Sequence, residues 1–293
     1  MRVLVQFSGG KDSQAALIQI CKQFGANKVT AVFCDTGWEH EYTYQHIQHV
    51  VNQLGCEFIS LKNKSVDGMI GLCKRMKWFP DTQHRMCTVF LKIHPMIDYI
   101  LEKDEDLVIV QGIRAGESEK RANMPCSGNY FAEYFDCKSK NKLYKKRSVR
   151  NWCEHHNAYV ERPIFDWSAQ QVIDYILENG QSPNPLYKQG ASRVGCYPCI
   201  FARKAELKIF AKDNKYVQRL IGLERDVNSL RMDDNHASFF PKGKIPSKFC
   251  KTYGNGIPSI EDIVNYVTKD DAPGLFDELE EYTCMSMYHG LCE

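Results

Sequence analysis

Six residues near the amino terminus, Ser8-Gly9-Gly10-Lys11-Asp12-Ser13, combine two glycines with a lysine and an aspartate. They follow a mainly apolar run at 3–7 that predicts a buried strand, and they precede residues with the apolar spacing of a helix. Backbone amides at a helix amino terminus attract anions, and glycine lets the chain bend and approach a ligand. The six residues therefore predict a phosphate-binding loop. The alternative is an ordinary glycine turn with Ser8 or Asp12 as a helix cap, which leaves Lys11 unexplained.

The loop does not have the spacing of the common nucleotide-binding pattern G-x-x-x-x-G-K-[ST]. If Gly10 and Lys11 were its Gly-Lys pair, the first glycine would fall on Val5 and the magnesium-binding hydroxyl on Asp12. The six residues instead resemble the PP-loop of the adenine-nucleotide alpha-hydrolase-like superfamily. This resemblance implies a protein that cuts ATP into AMP and pyrophosphate, or one that handles adenylyl sulfates.

Alternating strands and helices must position this loop. Apolar runs predict strands at 28–35, 57–61 and 107–111, and a helix is predicted at 39–54. Such alternation indicates a parallel sheet, whose ligands bind at the carboxyl ends of the strands. Asp35 and Gly37 follow one such end, and the residues from Gly112 onward follow another. The predicted fold class is therefore α/β, a doubly wound and mainly parallel sheet with three polar loops at one edge.

The pattern changes near residue 180. A last strand is predicted at 159–165 and a helix at 168–178, with Ser168 and Gln171 as its capping box. Prolines and glycines then interrupt the periodicity. We therefore predict two domains, which are a nucleotide-binding α/β domain over 1–180 and a smaller α-rich, cysteine-bearing region over 181–293.

Charge and composition narrow the choice of partners. The net charge of +2 does not mark the whole chain as a nucleic-acid binder, but Lys138 to Arg150 carries seven basic residues without an acid. That run predicts contact with a polyanion or, equally, a solvated loop. The sequence has no signal-peptide pattern and no apolar run long enough to span a membrane, so we expect a cytoplasmic protein without a membrane partner. A homodimer is one assembly that is compatible with the sequence.

A second polar group follows the strand at 107–111. Arg114, Glu117 and Arg121 have spacings of three and four, which would place them on one face of a helix. Arginine forks suit phosphate or sulfate, although a surface ion pair explains Arg114 and Glu117 about as well. Asp35 is a candidate for contact with ribose, adenine or a magnesium ion, and capping of the following turn is its alternative role.

Four stretches occur in one order along the chain, namely SGGKDS at 8–13, CDTGWE at 34–39, RMCTVFLKIHP at 85–95 and GIRAGESEKR at 112–121. This order resembles the phosphoadenosine phosphosulfate (PAPS) reductase family in its broad sense, over residues 1 to 200. The resemblance implies an adenine nucleotide whose phosphate chain is bound by Ser8, Gly9, Gly10, Lys11, Asp12 and Ser13. It also implies that Asp35 and Gly37 lie near the nucleoside and that Arg114, Glu117 and Arg121 line the reacting end. Lys11, Asp12, Arg114 and Arg121 are the predicted catalytic residues, and Asp12 is expected to help hold Mg²⁺ beside ATP.

Thirteen cysteines in a chain of this length favour metal, cluster or catalytic thiols over a disulfide framework. Cys196 and Cys199 form a C-x-x-C turn, a spacing that lets two sulfurs ligate one metal centre or cycle as a dithiol. We predict that Cys87 and either Cys284 or Cys292 complete a four-cysteine site. Such a set resembles the iron–sulfur site of the sulfurtransferase and assimilatory branches of the family, although zinc would accept the same sulfurs.

Two reactions fit this scaffold. In a PAPS reductase a cysteine from a carboxyl-terminal Glu-Cys-Gly-x-His stretch attacks an activated sulfate, and that stretch is absent, since residues 289–293 read His-Gly-Leu-Cys-Glu. The intact loop resembles family members that bind ATP and adenylylate an acceptor. We therefore predict an ATP pyrophosphatase of the sulfurtransferase type that prepares its acceptor for sulfur or nitrogen transfer, with nucleic acid as the acceptor by analogy to DNA phosphorothioation and transfer-RNA thiolation enzymes. A PAPS or adenylyl sulfate reductase and a non-catalytic nucleotide sensor with structural zinc are the alternatives.

Overall fold

The computed structural model describes residues 2–132, 143–232 and 235–269. Its strands are β1 Arg2–Gln6, β2 Val29–Cys34, β3 Glu57–Leu61, β4 Leu107–Gln111, β5 Ser127–Asn129 and β6 Ala158–Glu161. Its helices are α1 Lys11–Phe24, α2 Glu41–Leu54, α3 Gly68–Met76, α4 Met86–Thr88, α5 His94–Leu101, α6 Glu119–Ala122, α7 Lys146–Cys153, α8 Ala169–Glu178, α9 Lys204–Lys212, α10 Asn214–Ser229 and α11 Ile260–Lys269.

The six strands form one sheet in the order β3-β2-β1-β4-β6-β5. Every neighbouring pair is parallel except β5 with β6, which is antiparallel. In the central strand, Val5 is in register with Ala31 of β2 and with Val110 of β4. The prediction of a mainly parallel α/β sheet is confirmed, and the antiparallel edge strand β5 is an element that the sequence did not indicate.

Helices cover both faces of this sheet. Val3 and Val5 of β1 pack in one apolar cluster with residues of α1, α2 and α8. Leu4, whose side chain points to the opposite face, packs in a second cluster with residues of α5 and α7. Because β1 is buried on both faces, it consists of near-continuous apolar residues, as expected for a central parallel strand. The sheet is therefore doubly wound, as predicted.

The described residues form two compact units. The sheet unit contains residues 2–34, 41–61, 93–132 and 143–185, and the helical unit contains 35–40, 62–92, 186–232 and 235–269. The helical unit has its own core, which includes Trp38, Leu72, Phe210 and Phe239. The single boundary predicted near residue 180 did not anticipate that 35–40 and 62–92 group with the later half of the chain. These two segments follow β2 and β3, so the chain leaves the sheet unit and returns to it twice.

Several predicted bounds agree with the structure. β3 and β4 begin and end at the predicted residues, and Ser168 and Gln171 form the expected capping box of α8. The last strand is shorter than predicted, because β6 ends at Glu161 and Pro163, which lacks an N–H group, follows two residues later. Within the described parts of the chain, no helix is both long and apolar enough to cross a membrane.

Candidate functional site

The loop between β1 and α1 presents a helix amino terminus without a side-chain cap. Gly10 is the N-cap residue in an extended conformation, and within the described part of the chain this helix start has no side-chain cap hydrogen bond. Gly9 has φ +77°, and a Cβ atom there would lie 2.9 Å from the Thr43 Cγ2 atom. Glycine is therefore required at position 9 for both its backbone angle and its close approach to α2. The role of Ser8 or Asp12 as a conventional cap is not what the structure shows.

The two serines of the loop serve the loop itself. The Ser8 backbone N–H donates to Ser13 Oγ at 3.2 Å, and the Ser13 hydroxyl donates to the Gly10 carbonyl at 2.9 Å. These bonds close the turn between Ser8 and Ser13.

Asp12 lies between two cations of the sheet unit. Its Oδ2 atom is 3.1 Å from Lys11 Nζ, and its Oδ1 atom accepts a hydrogen bond from Arg114 Nε at 2.5 Å. Lys11 and Arg114 are 8% and 7% exposed, which strengthens their electrostatic interactions relative to those in water. Two cations and one carboxylate leave the group with an excess positive charge. This charge lies at the first turn of α1, which contains Lys11 and Asp12 and contacts Arg114, and the helix dipole is also positive there.

Glu117 and Arg121 extend the same group. The Arg114 backbone N–H donates to Glu117 Oε2 at 3.1 Å, and the guanidinium of Arg121 forms an ion pair with the same carboxylate oxygen. The three residues do not lie on one continuous helix as predicted, since a 3₁₀ turn at Ala115–Glu117 is followed by the separate helix α6. They are brought together instead by the Glu117 side chain, which bonds both to the loop backbone and to the next helix.

Gly112 explains how the second loop reaches the first. A Cβ atom at this position would lie 2.6 Å from the Cα atom of Ser13 and 2.8 Å from the carbonyl carbon of Asp12. The end of β4 therefore packs directly on the first turn of α1, and this packing places Arg114 beside Asp12. Sequence reasoning did not single out Gly112, although a glycine immediately after a buried strand is a signal of close backbone approach.

Asp35 belongs to the helical unit and acts there as a turn residue. Its Oδ1 atom accepts a hydrogen bond from the Gly37 N–H at 2.8 Å, and its Oδ2 atom is 3.1 Å from Lys62 Nζ. Gly37 has φ +64°, which fits this turn. The alternative role of Asp35 as a cap is thus realised, and its contact with a nucleoside, together with that of Gly37, stays a prediction.

The C-x-x-C turn also lies in the helical unit. Cys196 pairs with Glu39 in an isolated antiparallel bridge, and its Sγ atom is 3.9 Å from Glu39 Oε1. The same carboxylate oxygen accepts a hydrogen bond from the Thr36 hydroxyl at 2.7 Å. Burial raises the pKa of the Cys196 thiol to about 12, and the neighbouring Glu39 charge adds to that rise. The thiol is therefore protonated at neutral pH unless a metal or a base takes the proton.

Cys87 and Cys199 are electrostatic neighbours within the same unit. Burial raises the pKa of Cys87, and the neighbouring Cys199 side chain adds to that rise, whereas the positive charge of Lys92 opposes it. Within 2–132, 143–232 and 235–269, however, no three His, Cys, Asp or Glu side chains lie close enough together to hold a metal ion. Cys284 and Cys292 lie outside the described residues. The donors fit a metal–sulfur site in their chemistry, but the described structure does not bring Cys87, Cys196 and Cys199 together around one common ion.

The glycine-containing loop lies at the carboxyl end of a parallel strand and opens a helix that has no side-chain cap. This arrangement is that of a PP-loop nucleotide-binding enzyme. A profile of the phosphoadenosine phosphosulfate reductase domain matches residues 2–202, which is more than half of the chain. The chain belongs to this PAPS reductase family, as the order of its motifs predicted.

Several proteins are similar to this chain. An uncharacterized 37.8 kDa protein of Escherichia phage 186 is 28% identical, over 99% of this chain and 96% of that protein. An uncharacterized protein of Methanocaldococcus jannaschii is 32% identical over 70% of this chain, which spans 37% of that protein's length. The adenosine 5'-phosphosulfate reductase of Rhizobium tropici is 30% identical over 32% of this chain and 40% of its own length. Among solved structures, the PAPS reductase of Candida auris in its phosphate complex has a TM-score of 0.49 and 17% identity, over 68% of this chain and 83% of that one.

Proposed function

We propose that the protein binds ATP, releases pyrophosphate and adenylylates an acceptor for sulfur or nitrogen transfer. The observation that supports this proposal most directly is the uncapped amino terminus of α1 with Lys11 and Arg114 beside it. Backbone amides, a helix dipole and two buried cations are the groups that a polyphosphate requires. The side chains of Ser8 and Ser13 shape this loop, and the amides of 9–13 are the proposed donors to phosphate.

The proposed chemistry assigns a role to each charged group. An acceptor oxygen attacks the α-phosphorus of ATP, the bond from that phosphorus to the bridging oxygen breaks, and pyrophosphate leaves with the bonding electrons. Lys11 and Arg114 stabilise the negative charge that develops on pyrophosphate. Asp12 is the proposed ligand for Mg²⁺, and Arg121 is held towards the site by Glu117. A sulfur or nitrogen nucleophile then displaces AMP, which is a better leaving group than the original oxygen.

Nucleic acid is the proposed acceptor, and α7 is the proposed binding surface. Lys146, Arg147 and Arg150 are exposed on this helix. Lys145 is less suited to the role, because its Nζ atom is 2.7 Å from Asp98 Oδ1. The remaining basic residues of the run, at 138–142, lie outside the described residues. Exposed cations along one helix are the simplest device for binding a phosphate backbone.

An iron–sulfur cluster remains the proposed metal group, with zinc as the alternative. Cys87, Cys196 and Cys199 are the proposed ligands, together with either Cys284 or Cys292. The observation that supports this set is the placement of the first three thiols in one unit, with Lys92 and Lys244 near them. Anaerobic reconstitution with iron and sulfide checks it, since each of Cys87→Ser, Cys196→Ser and Cys199→Ser should lower bound iron. Cys250→Ser in the same unit is the matched control.

Equilibrium binding of three nucleotides tests the proposed reaction. Protein purified without oxygen is titrated with ATP and Mg²⁺, with PAPS and with adenylyl sulfate. We expect ATP with Mg²⁺ to bind most tightly of the three. We expect Lys11→Ala to weaken that binding by about tenfold or more, because it removes a buried charge-assisted hydrogen bond to the phosphate chain. Lys22→Ala, at the exposed end of the same helix, should leave it unchanged. Preference for an adenylyl sulfate would overturn the proposal in favour of a reductase.

A further inference from the structure

The segment that follows α8 lies against the phosphate-binding loop inside the sheet unit. Asn184 is completely buried, and its Nδ2 atom is 3.3 Å from the Gly9 carbonyl oxygen and 3.4 Å from Thr43 Oγ1. Pro183 and Pro185 flank it in the sequence. A residue before proline is confined to extended conformations, so the backbone of Asn184 has little freedom to move away from the loop.

The same segment is also attached to the first turns of α1. Gln14, which is completely buried, donates from Nε2 to Gln181 Oε1 at 2.9 Å and to the Ser182 carbonyl at 3.1 Å. Its Oε1 atom therefore accepts from His46 Nε2, at 3.0 Å. The segment 181–184 is thus anchored to the loop at one end and to the helix that follows the loop at the other.

The bond from Asn184 fixes the direction of one peptide plane. In a trans peptide the carbonyl and the following N–H point in opposite directions, and the Gly9–Gly10 bond is trans. Because the Gly9 carbonyl points at Asn184, the Gly10 N–H points away from it. Two successive glycines offer little steric resistance to a flip of this plane. After such a flip a carbonyl oxygen would replace the amide and repel an anion.

We propose that Asn184 is a positioning residue that holds the Gly9–Gly10 peptide in its anion-binding orientation. It does so by donating to the Gly9 carbonyl from the buried side of the loop. This inference rests on the proposed function, since it assigns the phosphate chain to the loop. The Asn184–Gly9 bond orients only the peptide that is proposed to contact phosphate. Loss of this bond should therefore affect binding of the phosphate chain and not binding of the nucleoside.

Calorimetric titration with inorganic pyrophosphate and with adenosine tests the inference. Asn184→Leu keeps most of the volume and removes the donor, so pyrophosphate should bind about tenfold more weakly while adenosine affinity is unchanged. Thr43→Val removes the hydroxyl that Asn184 also contacts and leaves the bond from Asn184 to Gly9, so this variant should bind both ligands as the wild type does. Equal loss for both ligands, or no loss, overturns the inference.

A second variant covers failure of the first to fold. Pro185 is exposed, and Pro185→Ala frees the backbone of Asn184 without disturbing the core. We expect about a threefold loss of pyrophosphate affinity and none for adenosine. Unchanged pyrophosphate binding in this variant counts against the inference. If the wild-type protein itself does not bind pyrophosphate, the proposed function fails and this inference fails with it.

Discussion

Asp12 and Arg114 are 102 positions apart in the chain, and the Arg114 Nε–H donates to the Asp12 carboxylate at 2.5 Å. The other oxygen of this carboxylate, Oδ2, is 3.1 Å from Lys11 Nζ, so one acidic side chain forms ion pairs with both Lys11 and Arg114. Without it, two like charges would repel each other in a site where solvent screening is weak. Asp12 therefore assembles the cationic site in addition to its proposed role in holding Mg²⁺.

Asp12→Asn separates these two roles. The substitution removes one negative charge, so the net charge of the buried cationic site becomes more positive by one. Metal-free pyrophosphate should therefore bind about tenfold more tightly. The gain in ATP affinity that Mg²⁺ provides should disappear, because an amide is a poor magnesium ligand compared with a carboxylate. Titrations with pyrophosphate, and with ATP with and without Mg²⁺, measure both effects. Weaker pyrophosphate binding would show instead that gathering the cations is the main role of Asp12.

Gly112→Ala should damage the site through packing alone. Its Cβ atom would lie 2.6 Å from Ser13 Cα, which forces β4 and α1 apart at the point where Arg114 meets Asp12. We expect a loss of about 1–3 kcal/mol in the free energy of unfolding, the usual cost of overpacking. Urea denaturation measures it. Gly128→Ala, in β5 of the same sheet, meets no atom of the described residues within 4 Å and is the matched control, which should change stability little.

The sheet could be predicted because its signals are local. The strands β3 and β4 are short apolar runs bounded by polar residues, and the capping box of α8 is a four-residue pattern. The carboxyl-edge rule for parallel sheets then predicted that the first loop and the Arg114 loop would meet. The topology of the sheet determines which loops share an edge. The residues of these loops that could form the candidate site were therefore predictable from the sequence.

The remaining features depend on interactions between distant parts of the chain. Nothing local marks Asn184 as a partner of Gly9, since the two are 175 positions apart and Asn between prolines is typical of a loop. The composition of 62–92 likewise gives no sign that this segment packs with the later half of the chain. β5 was missed because its residues, Ser-Gly-Asn, have no strand propensity, and pairing with β6 alone makes them a strand.

Charge reversal on α7 tests the proposed nucleic-acid binding. The double substitution Lys146→Glu and Arg150→Glu should weaken binding to DNA or RNA at low salt. It should also reduce the slope of log affinity against log salt by about 1 for each phosphate that the helix no longer neutralises. Fluorescence anisotropy at several salt concentrations measures this slope. Lys28→Glu, an exposed lysine elsewhere in the sheet unit, is the control, and an equal effect of both variants would contradict binding at α7.

His46 makes the stability of the sheet unit depend on pH. Burial, with a smaller contribution from the charge of His49, lowers the pKa of His46 from 6.5 to about 4 in the folded protein. Between these values the unfolded chain binds a proton that the folded chain excludes, so stability is complete above pH 6.5 and falls as the pH drops towards 4. One such group accounts for a loss of about 2 kcal/mol between pH 7 and pH 5.

Because carboxylates also titrate in acid, the measurement is a difference between two proteins. Urea unfolding is followed at pH 7 and at pH 5 for the wild type and for His46→Gln, whose amide can still donate to Gln14 Oε1. The variant should lose about 2 kcal/mol less than the wild type over this interval. An equal loss in both proteins would mean that His46 is as accessible to protons in the folded state as in the unfolded one. In that case burial would not lower the pKa of His46, and the acid sensitivity of the sheet unit would come from its carboxylates instead.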